Sequence, residues 1–373
     1  MSATLLALNA GSSSVKFNLF GWEDALPLLA TGKVAGIGEA PTFYAMEIGA
    51  AASQKKQLAA SSTQEDGLQT ILDWVQGHAG HDISIASHRV VHGGTFYRGP
   101  VIVAGDVMDK LRSLCPLAPL HQPHNLAAIE ILARLMPDLV QTASFDTAFH
   151  AGHAPLFNVY AVPHELAERG IRRYGFHGLS YKWIAEVLRR DHAALATGRV
   201  IAAHLGNGAS LCAMKDGYSI DTTMGMTALD GLPMGTRCGS FDPGAVIYMI
   251  RTLGMSSEEA EHVLYTESGL KGLSRLSNDV KTLQESASAE ARFALDYFAL
   301  KTAQMIGMLA VALEGVDGIV FTGGIGENAT AVREAILRRL TFLGRFETLV
   351  IPANEERMMA TEARAVVNDR SPA

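Results

Sequence analysis

The sequence is poor in cysteine and has no surplus of basic charge. Its three cysteines, Cys115, Cys212 and Cys238, form no C-x-x-C pair, which argues against a disulfide framework and against a cysteine-based zinc site. The chain has 31 basic and 38 acidic side chains and a net charge of −7. Because no cationic surplus is present to neutralise the phosphates of a nucleic acid, we expect no nucleic-acid partner.

Long apolar runs are also missing. No stretch approaches the roughly 20 residues that a membrane-spanning helix needs. The amino terminus, MSATLLALNAGSSS, has neither the basic leader nor the long apolar segment of a signal peptide, and we expect it to begin a strand. Because the cysteine usage also indicates a reducing compartment, we expect a cytoplasmic protein with no membrane partner.

The chain does contain enough apolar material for two hydrophobic cores. It has 373 residues, of which 48% are hydrophobic and 18% charged, the composition of a folded protein rather than a disordered one. Predicted strands and helices alternate, which favours the α/β class. Two segments share the order apolar strand, Asn/Gly turn and return strand. They predict hairpins over residues 4–20 and 200–215, with the second half of the chain beginning near Ala148.

Hydrophobic periodicity predicts helices over residues 63–76, 124–136 and 291–314. Thr63 and Asp66 have the spacing of a capping box, and Gly77 is expected to end that helix. Residues 318–322 predict a buried strand that leads into the Gly-rich segment 323–328. A further helix is expected from Ala329, with Asn328 as its cap.

The segment from Asn9 to Lys16, NAGSSSVK, has the composition of a phosphate-binding turn. Small residues allow backbone N–H groups to approach a polyphosphate, hydroxyl groups can donate to it, and Lys16 supplies positive charge. The segment is not a Walker A loop, because Phe17 follows the lysine and no helix begins there.

Two arginines lie in segments where a lone cation is costly. Arg89 follows His88 in the apolar sequence HRVVHGG, and Arg237 ends the small-residue sequence MGTR. An arginine in such surroundings indicates an anionic partner, and two of them could fork around a carboxylate and a phosphoryl group. For Arg89 an internal salt bridge is the structural alternative.

Histidines concentrate in LHQPH (120–124), FDTAFH (145–150) and YGFHG (174–178). A transition-metal site is one interpretation of thirteen histidines. However, the sequence has neither an H-E-x-x-H helix nor closely spaced cysteine ligands, so we do not predict such a site.

Eight motifs together resemble the acetokinase family, namely LNAGSSSVKF, HRVVHGG, LAPLHQPHN, FDTAFH, YGFHG, HLGNGAS, MGTRCG and FTGGIGEN. They occur in the family's order and extend, with the later match at Glu355, over nearly the whole chain. The resemblance implies the α/β actin-like fold of sugar kinases and Hsp70, with two ribonuclease-H-like domains around a nucleotide cleft. The expected domains are residues 1–147, completed by 357–373, and residues 148–356. A homodimer is also implied.

The resemblance implies reversible phosphoryl transfer between ATP and acetate, with Mg²⁺ or Mn²⁺ as cofactor. The expected catalytic residues are Asp146, His177, Arg237 and Arg89. The expected substrate-binding residues are Arg89, Val91, Leu120, His121 and Ala228. The expected nucleotide-binding residues are Ser12, Ser14, Lys16, His204, Leu205, Gly206, Asn207, Gly208, Asp279, Val280, Lys281, Gly324, Ile325, Gly326, Glu327 and Asn328. The expected metal ligands are Asn9 and Glu355.

This chemistry suits these residue types. A carboxylate is already a nucleophile, so positioning and charge stabilisation suffice, and Asp146 is interpreted as a positioning group rather than a base. Ala228 stands where the family has a proline in the acyl pocket, which leaves room for propionate, and Lys281 stands where many relatives have arginine. The alternatives are a propionate or butyrate kinase, and an actin-like ATPase without acyl kinase activity.

Overall fold

The structure is a computed structural model that describes residues 3–77 and 81–369. The chain divides into two compact units. Unit 1 consists of Met1–Ala148 and Asn354–Ala373, and unit 2 consists of Phe149–Ala353. No helix within the described ranges combines the length and the apolar character that crossing a membrane requires.

Thirteen strands are found in the described ranges. They are β1 (Ala3–Ala10), β2 (Ser14–Gly21), β3 (Leu28–Ala35), β4 (Thr42–Glu47), β5 (Gln54–Gln57), β6 (Asp82–Val90), β7 (Val101–Ile102), β8 (Val140–Phe145), β9 (Arg199–Leu205), β10 (Ala209–Lys215), β11 (Tyr218–Thr222), β12 (Gly318–Thr322) and β13 (Glu347–Val350).

The same ranges contain fifteen α-helices. They are α1 (Gln64–Gly77), α2 (Val107–Ser113), α3 (Gln122–Leu135), α4 (Pro155–Asn158), α5 (His164–Glu168), α6 (Gly178–Asp191), α7 (Ala193–Ala196), α8 (Pro243–Arg251), α9 (Ser257–His262), α10 (Gly269–Ser274), α11 (Val280–Glu285), α12 (Ala289–Leu313), α13 (Gly323–Asn328), α14 (Thr330–Leu337) and α15 (Glu355–Asn368). Short 3₁₀ turns lie at Cys115–Leu117, Ala148–His150 and Thr341–Leu343, and a π-helical turn lies at Val263–Glu267.

Unit 1 is built on an eight-stranded sheet with the order β5-β4-β3-β2-β1-β6-β8-β7. Each of the strands β1 to β4 pairs antiparallel with the next one along the chain, whereas β1, β6 and β8 run parallel to one another. Helices α1 and α3 bury their apolar faces against this sheet, and Phe17, Phe43 and Trp74 form an aromatic cluster within that core. The parallel strands therefore align their carboxyl ends at one edge.

Several local predictions for unit 1 are confirmed. Residues 4–20 form the β1–β2 hairpin. The Thr63 Oγ1 atom accepts from the Asp66 N–H at 3.3 Å, and the Asp66 carboxylate accepts from the Thr63 N–H at 2.7 Å, which is the expected capping box of α1. Helix α3 begins two residues earlier than expected, with Pro123 in its first turn.

Unit 2 is built on a five-stranded sheet with the order β11-β10-β9-β12-β13. Strands β9 and β10 form the expected hairpin, and β12 runs parallel to both β9 and β13. Helix α6 packs Ile184 and Leu188 against Val200 and Val320 of the sheet. The long helix α12 and strand β12 lie where the sequence predicted them.

The prediction that Asn328 caps the helix after the Gly-rich segment was wrong. The Gly-rich segment itself forms the short helix α13, and Asn328 does not cap the next helix, because its Nδ2 donates back to the Gly324 carbonyl at 2.9 Å. Helix α14 instead begins at Thr330, after Ala329. The physical reason is that the Glu327 carboxylate accepts from the Gly323 N–H at 3.0 Å, which stabilises a helical turn in spite of its glycines.

Candidate active site

Three of the predicted site residues lie at the carboxyl ends of adjacent parallel strands in unit 1. Asn9 is near the end of β1, Arg89 is near the end of β6, and Asp146 follows β8 directly. Because β6 lies between the other two strands, their ends meet. The Asp146 N–H donates to the Val90 carbonyl at 3.2 Å, which extends the pairing to the last residue. Sheet topology thus assembles residues that are distant in the chain.

The Arg89 guanidinium is bonded to Asp146. Its Nη2 atom lies 2.6 Å from Asp146 Oδ2, and its Nε atom lies 3.1 and 3.2 Å from the two carboxylate oxygens. The Nη1 atom lies 3.4 Å from Asn9 Oδ1 and 3.5 Å from Glu355 Oε2. The internal salt bridge considered for Arg89 is therefore present, and 19% of the arginine side chain is still exposed.

The charges around Arg89 are mainly acidic. Burial by itself would lower the pKa of Arg89, but Asp146 and then Glu355 raise it, and the net result is a pKa above the ordinary value. Burial raises the pKa of Glu356, and the adjacent charge of Glu355 raises it further, while Lys16 and Arg89 oppose this shift. Oxygen atoms of Asn9 and Glu355 thus lie on the same guanidinium edge, and hard oxygen donors of this kind suit a divalent cation.

The predicted phosphate turn joins β1 to β2. Lys16 is the strand partner of Asn9, and the Gly11 N–H donates to the Ser14 carbonyl at 2.8 Å, which closes the turn. Ser12 and Lys16 are exposed, and Ser14 is half-buried. The turn therefore carries exposed hydroxyl groups, and its lysine is the strand partner of Asn9.

Two buried amides that the sequence analysis did not identify hold the segment after β6. The Asn125 Oδ1 atom accepts from the Val91 N–H at 3.0 Å, and the Gln122 Oε1 atom accepts from the His92 N–H at 3.0 Å. The Asn125 Nδ2 atom also donates to the Ala10 carbonyl at 2.6 Å. Helix α3 therefore fixes the strand ends that carry Asn9 and Arg89. Both amides lie in the quoted motif LAPLHQPHN, which is the signal that could have identified them.

The predicted acyl-binding residues of unit 1 differ in exposure. Val91 is buried, His121 is half-buried immediately before α3, and Leu120 has 45% of its surface exposed. Val91, two residues after Arg89 in the chain, is thus the buried apolar member of this set, and Leu120 is the exposed one.

In unit 2, two predicted histidines stack beside the turn that joins β9 to β10, residues 206–208, which is called the glycine turn below. His177 precedes α6 with a left-handed φ of 56°, and its ring lies 4.4 Å from the ring of His204 at an interplanar angle of 23°. The His177 Nδ1 atom lies 2.8 Å from Ser210 Oγ, and the His204 Nδ1 atom lies 2.8 Å from Ser180 Oγ. Both rings are therefore oriented by hydroxyl groups.

Arg237 reaches the same turn. A Cβ atom placed on Gly208 would lie 3.3 Å from His177 Nε2 and 3.9 Å from Arg237 Nη1, so both donors converge on this glycine. The Arg237 Nη1 atom donates to the Ala228 carbonyl at 2.9 Å. Unit 2 thus brings together the predicted catalytic pair, the predicted acyl-pocket residue Ala228 and the glycine turn.

A cavity of about 580 Å³ adjoins this turn. Eight of the predicted nucleotide-binding residues line it, namely Gly206, Asn207, Asp279, Val280, Lys281, Gly324, Ile325 and Asn328. Asn278, Gln284 and Ala329 also line it, and the sequence analysis did not identify these three. The volume lies within the range of small-molecule sites.

Other predicted nucleotide-binding residues of unit 2 do not line this cavity. Leu205 is fully buried, and Gly326 is also buried. The Glu327 Oε1 atom accepts from the Gly323 and Ala353 N–H groups at 3.0 and 2.9 Å, and so holds the backbone of the cavity wall. His204 and Gly208 belong to the turn itself. These five residues support the cavity rather than enclose it.

His150, the histidine of FDTAFH, and the nearby His153 are engaged in a hydrogen-bond network. His150 Nδ1 and His153 Nε2 lie 2.8 and 2.6 Å from the buried hydroxyl of Ser219. Burial lowers the pKa of His150 to about 4 and that of His153 to about 3. Within the described ranges, no group of three or more His, Cys, Asp or Glu side chains is arranged to hold a metal ion.

Comparison with known proteins identifies relatives along the whole chain. The family model described as the acetokinase family matches residues 4–370. The acetate kinase of Methylocella silvestris is 42% identical over 405 aligned residues that cover 100% of both chains. The acetate kinase of Rhodopseudomonas palustris (strain TIE-1) is 46% identical over 350 residues, which cover 92% of this chain and 88% of that protein.

Solved structures agree with these relatives. The crystal structure of a propionate kinase from Francisella tularensis matches with a TM-score of 0.91 at 34% identity, over 96% of this chain and 98% of that chain. The Porphyromonas gingivalis acetate kinase matches with a TM-score of 0.87 at 29% identity, over 98% of this chain and 100% of that chain.

Proposed function

The chain belongs to the acetokinase family, and we propose that it reversibly transfers the γ-phosphoryl group of ATP to the carboxylate of acetate, giving ADP and acetyl phosphate. Its fold is the actin-like fold expected from the motifs. The observation that carries the proposal is the convergence of Arg237 and His177 on Gly208, next to a nucleotide-sized cavity. Those two side chains are the donors that phosphoryl transfer requires.

In the proposed mechanism, unit 2 holds the nucleotide. ATP occupies the cavity of about 580 Å³ that Asn207, Lys281 and Gly324 help to line. Arg237 and His177 donate hydrogen bonds to the equatorial oxygens of the γ-phosphoryl group. These bonds strengthen as the bond to ADP breaks, because charge accumulates on the phosphoryl oxygens and on the leaving group.

Unit 1 supplies the groups for the acceptor. Arg89 orients the acetate carboxylate and offsets its charge, and Asp146 fixes the guanidinium plane through the bonds described above. One carboxylate oxygen attacks phosphorus and forms the new P–O bond, so no proton has to be removed. Asp146 therefore acts by positioning, not as a base. Val91, Leu120 and His121 are proposed to contact the methyl group.

A magnesium ion fits the donors present in unit 1. Asn9 and Glu355 offer one amide oxygen and one carboxylate oxygen on the same edge of Arg89, and Mg²⁺ commonly binds one or two carboxylates with its remaining ligands from water and phosphate. When bound, the ion would neutralise charge on the polyphosphate. Glu355 is held in the first turn of α15, where Asn354 caps the helix.

Three further expectations belong to this proposal. The two ribonuclease-H-like domains are proposed to comprise residues 1–147 with 357–373, and residues 148–356. A homodimer is proposed because the resemblance to the family implies one. A cytoplasmic location is proposed from the cysteine usage, which is typical of a reducing compartment.

Propionate is the second candidate substrate. Ala228 is small and half-buried, and the structurally similar Francisella tularensis protein is named a propionate kinase. An additional methylene in an apolar pocket is worth about 1–3 kcal/mol, so both acids fit one site.

The test is to trap the acyl phosphate as its hydroxamate, with the purified protein, ATP, Mg²⁺ and acetate, propionate or butyrate in turn. We expect hydroxamate from acetate, a comparable amount from propionate and less from butyrate. ATP hydrolysis without any hydroxamate would instead support an actin-like ATPase.

A further inference from the structure

The two histidines beside the glycine turn are held by a crossed pair of buried serines. His177 is bonded to Ser210 and His204 to Ser180, each through Nδ1 at 2.8 Å. Ser210 is the strand partner of His204 in the β9–β10 hairpin. Ser180 lies in the first turn of α6, the helix that begins directly after His177. Each histidine is therefore bonded to the serine that neighbours the other one.

This crossed arrangement gives both rings the same orientation. Ser180 and Ser210 are completely buried, so both Nδ1 atoms point into the unit. On the opposite edge of the rings, His177 Nε2 lies 3.3 Å from the Cβ position of Gly208, and His204 Nε2 lies 3.9 Å from that of Gly206. Both Nε2 atoms consequently face the glycine turn.

The surroundings of the pair disfavour a positive charge on either ring. Arg237 Nη1 lies 3.9 Å from the same Gly208 position, and the two imidazoles are stacked on each other. A neutral imidazole carries one proton, so one nitrogen donates and the other accepts. A ring that donates through Nε2 to a phosphate oxygen must therefore accept a hydrogen bond at Nδ1.

The hydroxyl groups can supply that hydrogen bond. The Ser210 hydroxyl contacts both His177 Nδ1 and the hydroxyl of Tyr181, which is fully buried. When Tyr181 donates to Ser210 and Ser210 donates to Nδ1, the proton of His177 resides on Nε2. The opposite orientation of the same two hydroxyl groups would place it on Nδ1, with no proton at Nε2 for the phosphate.

We propose that Ser210, Tyr181 and Ser180 are positioning residues that fix His177 and His204 as Nε2–H tautomers and aim two N–H donors at the phosphate oxygens. The proposal rests on the proposed function, because the phosphoryl group is the acceptor of these donors. Hydrogen bonding at the far nitrogen is the general means by which proteins select a histidine tautomer.

The test uses the 373-residue protein with Ser210→Ala, Tyr181→Phe or Ser180→Ala, and with Thr302→Val as the matched control. The Thr302 hydroxyl is also buried, but it donates to the Phe298 carbonyl in α12. For Ser210→Ala we expect about a tenfold lower kcat with little change in the KM for ATP, and for Tyr181→Phe a smaller loss of the same kind. For Ser180→Ala we expect a higher KM for ATP, and for Thr302→Val wild-type values.

The tautomer itself is read by NMR of protein labelled with ¹⁵N at histidine, with His177→Ala used to assign the signal. We expect a pyridine-like Nδ1 and a pyrrole-like Nε2 for His177 in the wild type, and a mixture of tautomers in Ser210→Ala. Wild-type kcat together with an unchanged His177 spectrum in both Ser210→Ala and Tyr181→Phe would overturn the proposal. This readout does not depend on activity and also serves if a variant is poorly stable.

A separate result concerns the proposed function. If His177→Ala kept wild-type turnover, the catalytic role of His177 would be wrong, whatever the spectra of the serine variants. If His177→Ala is inactive while Ser210→Ala and Tyr181→Phe behave as wild type, the role of His177 stands and the positioning proposal fails.

Discussion

Arg89 is the residue on which the proposed acceptor site depends, because its guanidinium is bonded to Asp146 and lies near both proposed magnesium ligands. Replacement by lysine keeps the charge but removes the planar fork. We expect Arg89→Lys to lower kcat by about 100-fold or more, with a melting temperature close to that of the wild type. Arg89→Ala should be at least as inactive, and less stable because Asp146 then loses its cation.

Arg112→Lys provides the control for this prediction. Arg112 also contacts two carboxylates, those of Asp109 and Glu130, but it is half exposed on the surface of unit 1. Its replacement should leave kcat and the KM for acetate unchanged. Near wild-type kcat in Arg89→Lys would mean that no bidentate contact is made in the transition state.

Ala228 tests the acyl specificity. A proline at this position would fill space beside the substrate while leaving the carbonyl that accepts from Arg237. One methylene of buried apolar surface is worth about 0.8 kcal/mol, or roughly a factor of four. We therefore expect Ala228→Pro to shift the ratio of kcat/KM toward acetate, mainly through a higher KM for propionate. An unchanged ratio would show that position 228 does not contact the acyl chain.

The sequence could identify residues whose type is unusual or energetically unfavourable in its local surroundings. An arginine in an apolar strand and a triple serine after Asn9 indicate chemistry without any knowledge of the fold. Gln122 and Asn125 could not be identified in this way. Their role depends on hydrogen bonds from their side-chain amide groups to backbone groups 30 or more residues away in the chain. Nothing in the local pattern distinguishes such an amide from a surface one.

At the scale of elements, the hairpins and long helices followed from periodicity and turn chemistry, whereas α13 did not. Its sequence, GGIGEN, has a low intrinsic helix propensity because of its glycines. The turn is stabilised by Glu327, which also bonds to Ala353, a residue 26 positions later. Tertiary hydrogen bonds of this kind override local propensity, so the local sequence pattern did not indicate that this part of the cavity wall is helical.

The amino-terminal turn of α15 carries the proposed magnesium ligand. We expect Glu355→Gln and Asn9→Ala to need a higher Mg²⁺ concentration for half-maximal activity, with partial recovery of kcat at high Mg²⁺, because each variant removes or weakens one oxygen ligand. The measurement is a Mg²⁺ titration of the rate at saturating ATP.

Glu356→Gln is the matched control in the same helical turn. It should leave the Mg²⁺ titration unchanged, because it is the Glu355 carboxylate that lies 3.5 Å from Arg89 Nη1, beside the Asn9 oxygen. A titration altered by Glu356→Gln and not by Glu355→Gln would assign the metal contact to Glu356.

At the scale of the whole molecule, buried histidines make stability depend on pH. His88 is fully buried in β6, its Nε2 bonds to Gln141 at 2.8 Å, and burial lowers its pKa from 6.5 to about 4. Between these values the unfolded chain binds a proton that the folded state does not. The free energy of unfolding therefore falls as pH decreases from 6.5 to 4, by about 1.4 kcal/mol per pH unit for each such group.

We expect His88→Gln to reduce the pH dependence of the free energy of unfolding by about 1.4 kcal/mol per pH unit between pH 4 and 6.5. The measurement is urea unfolding at several pH values. His164→Gln serves as the control because His164 is exposed, and its slope should match the wild type. An equal slope in His88→Gln and the wild type would show that His88 does not remain neutral in the folded protein.

The central claim is that the phosphoryl group passes directly from ATP to a carboxylate oxygen. Acetate labelled with ¹⁸O in both carboxylate oxygens, incubated with the protein, ATP and Mg²⁺, tests this most directly by ³¹P NMR. Direct transfer predicts acetyl phosphate with ¹⁸O bridging carbon and phosphorus, formed in step with ADP. ADP formed together with unlabelled inorganic phosphate, and no labelled acyl phosphate, would contradict the claim.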